Sequence, residues 1–337
     1  MRRRAQTSSI VVEQLRRAQS WTTGSLDAFA RRLCWTLLLD VVLVLRLAAQ
    51  SEGSALAALP GSTRSAGLGG AGVALVGDAG AVFANPAGLA PIRHLAVEGS
   101  YEPYLAGTSV TTAALGMRLG RFTWGVGAQT LDYGSEPVIV PDSTSGGRRG
   151  IATGATFTAA DLLGVAAVVY RHGLIAGGVS AKYARQQIGG YAVDAWAGDV
   201  GVAVAIFDIF AVGASVQNLG GDYGDGGGAR MPRRTRVGVT MNYVDPQGTF
   251  RLLSILEAQW PAGEKALLVQ GLEGGVVTGS VGLVGRVGYV TRSPTSDASR
   301  FSVGGGLELG HVHLDYAYQA FDLLGGATHR VGLRWTT

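Results

Sequence analysis

Three patterns in this 337-residue sequence gather residue types that could do chemistry. Gly67-Leu68-Gly69-Gly70-Ala71-Gly72 matches G-x-G-x-x-G, the turn that brings backbone amides close to a pyrophosphate. That chemistry needs a buried strand before the glycines and a helix after them. Gly61-Ser62-Thr63-Arg64-Ser65-Ala66 is no such strand, and no βαβ unit follows. His311, His313 and Asp315 alternate, so a strand would project all three to one face, and imidazole with carboxylate is a zinc donor set. A polar lining of an aqueous interior explains the same three residues, and that reading is preferred. Asp222 and Asp225, in LGGDYGDGGG, match no complete calcium loop and read as part of an external loop. No Ser-His pair can be assigned as nucleophile and base. The sequence therefore predicts no catalysis, no metal and no cofactor.

Composition narrows the class. Glycine supplies 53 residues, far above the usual share, without a Gly-X-Y period. Charged residues are 15% and hydrophobic residues 47%. The net charge of +4 is misleading, because residues 1–50 hold eight arginines against three acids, while 51–337 hold 20 basic and 21 acidic residues. A body so balanced offers no basic face for nucleic acid. Cys34 is the single cysteine, so 51–337 has neither a disulfide nor a thiolate.

The first 57 residues read as a leader. Arg31-Arg32 precede an apolar run from Leu33 to Leu47, and Ala48-Ala49-Gln50 follow. That is the order of a secretory signal, with cleavage after Ala49 or Ala57. Asp40 and Arg46 interrupt the run, and about thirty residues precede it, so a start codon nearer Leu26 is the alternative.

The remainder has period two. His311, His313, Asp315, Ala317 and Gln319 alternate with Val312, Leu314, Tyr316, Tyr318 and Ala320. In 280–289, Val281, Leu283, Val287 and Tyr289 share a face opposite Arg286. Fourteen such strands are expected between 94 and 335, one of them bent or broken near Asp161. The connections alternate: short after even-numbered strands, mostly longer after odd-numbered ones, including 133–151, 187–192 and 219–231. A soluble sandwich has no reason to collect its short turns at one end. An outer-membrane barrel does, with an even strand count and strands of 9–11 residues or more. The fold class predicted is thus all-β, a transmembrane antiparallel β-barrel integral to the outer membrane of a Gram-negative (diderm) bacterium. Aromatics near strand ends (Tyr104, Tyr243, Phe250, Trp260, Tyr289, Phe301, Phe321, Trp335) would form interface girdles in contact with lipid. Strand parity turns Lys182, Asp199, Arg234, Arg236, Arg251, Glu257, Arg286, His311, His313, Asp315, Arg330 and Arg334 into the lumen.

Residues 61–91, GSTRSAGLGGAGVALVGDAGAVFANPAGLAP, resemble the entry segment of the PorV/PorQ family, within the FadL-like outer-membrane superfamily. Fainter echoes are Asp199-Val200-Gly201, the run Gly213–Gly220, and Asp315-Tyr316-Ala317-Tyr318. The resemblance implies a fourteen-stranded barrel over 93–337 and a hatch over 58–92 that folds into the lumen. Asp78, Phe83, Asn85, Pro86, Ala87 and Gly88 would be the hatch and gating residues. It implies one of two roles. The first is a passive channel or binding barrel for hydrophobic small molecules, with a pocket built from residues such as Val73, Leu75, Val82, Phe83 and Leu89. The second is a secretion-associated (type IX) or envelope-assembly barrel, binding secreted proteins through loops 133–151 and 219–231. Large helical capture loops are absent from the sequence, which argues against long-chain fatty-acid uptake.

Overall fold

A computed structural model describes residues 54–206, 209–224, 229–291, 298–321 and 326–337. Residues 1–53 of the expected leader, and Asp225, lie outside them.

Alternating sequence becomes a closed ring of fourteen antiparallel strands. In chain order these are β1 (Leu95–Pro103), β2 (Ser109–Leu119), β3 (Phe122–Pro141), β4 (Gly150–His172), β5 (Ile175–Ile188), β6 (Tyr191–Ile206) and β7 (Phe210–Gly220). They continue as β8 (Arg234–Val244), β9 (Phe250–Pro261), β10 (Leu267–Thr278), β11 (Val281–Val290), β12 (Ala298–Leu309), β13 (Val312–Phe321) and β14 (Gly326–Thr336). Each strand pairs with its sequence neighbours, and β1 closes on β14 from Ala96↔Thr336 to Tyr101↔Val331. Closure gives every strand two partners, so no amide ladder faces hydrocarbon unpaired.

The side-chain distribution inverts that of a soluble protein. On β11, Val281, Leu283 and Val287 point outward and are exposed, whereas Val284 and Arg286 point inward and are buried. On β8, Val237, Val239 and Met241 are outside, Arg236 and Thr240 inside. Cross-strand aromatic pairs mark both rims: Phe122–Tyr170, with ring centroids 5.4 Å apart, at the short-turn end, and Tyr183–Trp196 (5.0 Å) and Tyr289–Phe301 (4.9 Å) toward the other. No helix among the described residues is long and apolar enough to cross a membrane.

Three expectations need correction. Strand β4 is continuous through Asp161. The segment 133–151 is not a loop: β3 and β4 run on as a two-stranded ribbon to Pro141↔Gly150, beyond their last pairings with β2 (Asp132) and β5 (Ala159). Val138, Ile139 and Val140 opposite Ile151 and Thr153 have the β-branched side chains that favour strands, and the glycine and proline content of the segment masks this. Likewise β5 and β6 extend until only Gly189-Gly190 joins them. Finally, Tyr104 and Phe321 do not face lipid. They pack edge-on, 6.0 Å between centroids, with Phe321 buried at the long-loop end.

A charge on the outer face tests the inside-out assignment. Val200→Arg, mid-strand on the outside of β6, should cost about 2–4 kcal/mol in urea-titrated folding into lipid bilayers. A cost near zero would mean that this face does not meet hydrocarbon.

Candidate functional site

The lumen is occupied by residues 54–92, whose apolar side chains Leu56, Leu68, Val73, Val82, Ala87 and Leu89 are fully buried. The segment holds little regular structure: a short helix α1 (Thr63–Gly67) capped by Ser62, and tight helical turns at Ala79–Phe83 and Pro86–Leu89. Asn85 starts the last of these, its Oδ1 accepting from the Ala87 amide at 3.1 Å, and Pro86 gives up a donor that such a turn does not need. Turns within the segment satisfy many of its amides, those of Ala66, Gly70, Gly77 and Asn85 among them, and the wall satisfies others. Ser302 accepts from the Gly69 amide (2.9 Å), Glu257 from Gly72 and Val73 (2.8 and 2.9 Å), and Glu98 from Gly80 (3.0 Å). Gln217 and Ser215 donate to the Ala84 carbonyl, Gln217 also to Phe83, and Thr240 to Ala74. The Asn85 amide donates both to Val73 of its own segment (2.7 Å) and to Val202 of β6 (3.0 Å).

Wall glycines allow this approach. A Cβ on Gly201 would lie 2.0 Å from Asn85 Oδ1, and one on Gly127 would lie 2.5 Å from Phe83 Cζ. The Phe83 ring thus fills a groove in β3.

Charge completes the fit. Arg64 Nη1 meets Asp78 Oδ2 (2.7 Å); Asp78 Oδ1 meets Arg334 Nη1 (2.5 Å); Arg334 Nε meets Asp315 Oδ2 (2.8 Å). Asp315 Oδ1 then meets Arg286 Nη1 (2.7 Å), Arg286 Nε meets Glu273 Oε2 (2.6 Å), and Glu273 Oε1 returns to Arg64 Nη2 (2.7 Å). Three arginines and three acids close a neutral ring. Two members come from the lumenal segment and four from β10, β11, β13 and β14. Charge-assisted bonds of this kind are strong, but removing one member strands a buried charge. Burial alone would raise the Asp78 carboxyl; the charges of Arg334 and Arg64 and their hydrogen bonds more than offset this and hold it well below the usual carboxylate range. Burial opposes the Arg64 charge, and Glu273 and Asp78 hold its pKa well above the ordinary value.

The other residues expected in the lumen sort as follows. Glu257, fully buried, binds Arg236 (2.5 Å) and Gln259 (2.7 Å), and Arg236 reaches the Gly70 carbonyl (2.7 Å). Lys182 pairs with Asp199 (2.8 Å) and donates to Asn218 (3.0 Å), away from the segment. Arg330 pairs with Glu102 (2.6 Å) and donates to the Pro60 carbonyl (2.6 Å). Arg251 pairs with Glu308, which also faces His313 at 3.5 Å. Arg234 is half-buried at the start of β8. His311 stands outside β13, in the turn before it, exposed and bonded to the Thr336 carbonyl (2.8 Å). With Asp315 committed to two arginines and His313 to Glu308, the three residues do not converge as ligands. Asp78, Phe83, Asn85, Pro86, Ala87 and Gly88 are all in the buried segment. Sequence reading missed Arg64, Glu98, Glu102 and Glu273. The alternation on β1 and β10 would have placed the last three inside.

Two cavities lie at the short-turn end. An apolar chamber of about 310 Å³ lies between Ala74, Leu75 and Val76 of the segment and Ala176, Ala203 and Ala211 of the wall. A polar vestibule of about 390 Å³ adjoins it and shares Arg64, Val76, Pro91, Arg251 and Glu273. Toward the long-loop end a cavity of only about 30 Å³ lies beside Pro60, Tyr104 and Arg330. Of the five residues expected to build a pocket, Leu75 lines the chamber; Val73, Val82, Phe83 and Leu89 do not. Phe83 and Leu89 are taken up by grooves over wall glycines.

No family model matches the chain, and no curated protein matches it in sequence. Solved structures match its fold. The toluene transporter TodX of Pseudomonas putida aligns at TM-score 0.56 and 13% identity, covering 82% of this chain and 98% of that one. The toluene transporter TbuX of Ralstonia pickettii aligns at 0.52 and 14%, covering 82% and 98%. A FadL homologue of Pseudomonas aeruginosa aligns at 0.51 and 13%, covering 86% and 100%. The fold is that of the FadL-like outer-membrane barrels.

The charged ring sets a pH dependence. A carboxylate held low stabilises the folded state above about pH 4, and that contribution is lost as pH falls through its lowered pKa. Asp78→Asn should remove it at neutral pH, at a cost of about 3 kcal/mol for leaving Arg64 and Arg334 each one partner short. Protease cleavage within 54–92 should rise in the variant at pH 7, and in the wild type only in strong acid. Equal protection of both proteins at pH 7 would show that the ring does not hold the segment.

Proposed function

We propose that this protein is a passive, non-enzymatic channel for hydrophobic small molecules across the outer membrane. The observation that carries this reading is the apolar chamber between the lumenal segment and an alanine-rich wall, inside a closed barrel of the transporter fold. In this reading residues 1–57 direct export and are removed, 58–92 act as the hatch, and 93–337 form the barrel. Asp78, Phe83, Asn85, Pro86, Ala87 and Gly88 hold the hatch shut. The resemblance of residues 61–91 supports kinship with PorV/PorQ barrels. Neutral hydrogen bonds from Gln217, Ser215 and Thr240 hold 74–84 of the hatch, and such bonds contribute about 1 kcal/mol each. A shift confined to the stretch beyond Asp78 and Gly80, from Phe83 through the turn at Asn85, opens a path from the chamber without moving the charged ring.

A second reading has one observation in its favour. The β3–β4 ribbon stands beyond the barrel with Ile139, Val140 and Ile151 exposed, as a contact for a secreted or envelope protein would. Deleting 136–148 separates the two: it should leave passage of small molecules intact and abolish only a protein association.

Entry of the apolar dye N-phenyl-1-naphthylamine tests the channel. Diderm cells displaying the protein in their outer membrane should take up the dye several-fold faster than cells without it, with sugar entry unchanged. Gly201→Val, which pushes on Asn85, should raise entry of both. Dye entry that is independent of the protein would overturn the channel reading.

A further inference from the structure

The chamber has one polar group with nothing to do. Of its polar lining residues, Arg64 and Glu273 are bound to each other and to the ring, Arg251 pairs with Glu308, and Thr240 donates to the Ala74 carbonyl. Arg171, exposed beside a short turn, donates through Nε to the Gly173 carbonyl. Asn242 differs. It follows Arg236 and Thr240 on the inward face of β8, it is half-buried, and it lines the chamber. Its backbone amide is used, donating to the Ile209 carbonyl at 2.7 Å, but its side-chain amide has no hydrogen-bond partner among the described residues. A carboxamide in that state both donates and accepts, and so matches a hydroxyl or a carbonyl. A partly desolvated polar group without a partner is costly, and a ligand that satisfies it recovers that cost.

Volume sets the size of the apolar part. A dry cavity of roughly 150 Å³ holds benzene, so about 310 Å³ accommodates roughly a dozen carbon atoms. Charge sets the head group. Arg64 and Arg251 already carry acid partners, Arg171 is exposed beside a short turn, and Glu273 lies on the same lining, so an added carboxylate meets a like charge and no free buried cation.

We propose that the chamber binds a neutral, compact molecule of about ten to twelve carbons bearing one hydroxyl or carbonyl, which Asn242 recognises. This deepens the channel reading, and rests on it, by naming the class of cargo.

Three probes of one shape test it: 2-decalol, decalin and decalin-2-carboxylate, with binding to the full chain in lipid nanodiscs read by equilibrium dialysis. The alcohol should bind about tenfold more tightly than the hydrocarbon, the worth of one added hydrogen bond, and more tightly than the carboxylate. Asn242→Leu should bring the ratio of alcohol to hydrocarbon close to one while leaving hydrocarbon binding in place. Ala203→Trp should abolish binding of both by filling the chamber. Because Ala203→Trp could fail to fold, heat-modifiability on a gel accompanies each variant, and Asn242→Leu alone decides the recognition. Tightest binding of the carboxylate, or an unchanged ratio in Asn242→Leu, overturns the assignment. Absence of binding by all three removes the site but leaves dye entry to stand or fall by itself; binding without dye entry keeps the site and removes the channel.

Discussion

Charge placed inside a closed barrel must be balanced inside it, because neither bilayer nor bulk water is at hand to do so. The four wall members of the ring, Glu273, Arg286, Asp315 and Arg334, are neutral as a set, and so is the pair that the segment contributes, Arg64 with Asp78. The two sets therefore join without net charge transfer. What joining adds is completion: without the segment, Glu273 and Arg334 would each lose a partner. The same logic governs Glu257, whose carboxylate accepts from two segment amides and from two wall side chains. The barrel interior is shaped to receive one particular backbone.

Small residues complete that shape in two different ways. Where the wall carries glycine, as at Gly127 and Gly201, the segment supplies a side chain that occupies the missing volume. Where the wall carries alanine, as at Ala176, Ala203 and Ala211, the segment supplies only Ala74, Leu75 and Val76, and a chamber is left. The cavity is thus a property of residue size on both sides. An enlarged side chain at any of these alanines would remove it.

Much of the barrel was legible in the sequence because period two is a one-residue signal. Arg286 against Val287, or Asp315 against Tyr316, is sufficient to assign a face. Pairing is not such a signal. Nothing in the order of residues says that Arg334 meets Asp78, 256 positions away, rather than a closer acid. Phe83 read as a pocket residue because it is large, apolar and beside Asn85; only the register of β3 shows that Gly127 lies opposite to absorb it. The ribbon was missed for a different reason. Gly, Ser and Pro dominate the usual turn signals, and in 133–151 they obscured Val138, Ile139 and Val140. Pro137 and Pro141 are tolerated there because β3 has lost β2 as a neighbour, leaving an edge where a missing donor costs little. Asn242 carried no signal at all, since an unmet hydrogen bond is a fact of three dimensions.

The distribution of forces over the segment then says which part can move. Its first half, from Pro60 to Val73, is held by charged groups: Arg330 on the Pro60 carbonyl, Arg64 in the ring, Arg236 and Glu257 on Gly70 to Val73. Its second half, beyond the tie at Asp78 and the Glu98 contact at Gly80, is held by neutral amide and hydroxyl groups and by apolar packing of Val82, Phe83 and Leu89. Hydrogen bonds to charged groups are worth about twice neutral ones. The chamber lies against the junction of the halves, at Ala74 to Val76 and at Ala87. In the proposed channel, a molecule entering there would press on the weakly held side while the charged side stays anchored, so the turn at Asn85 is where the segment would yield first.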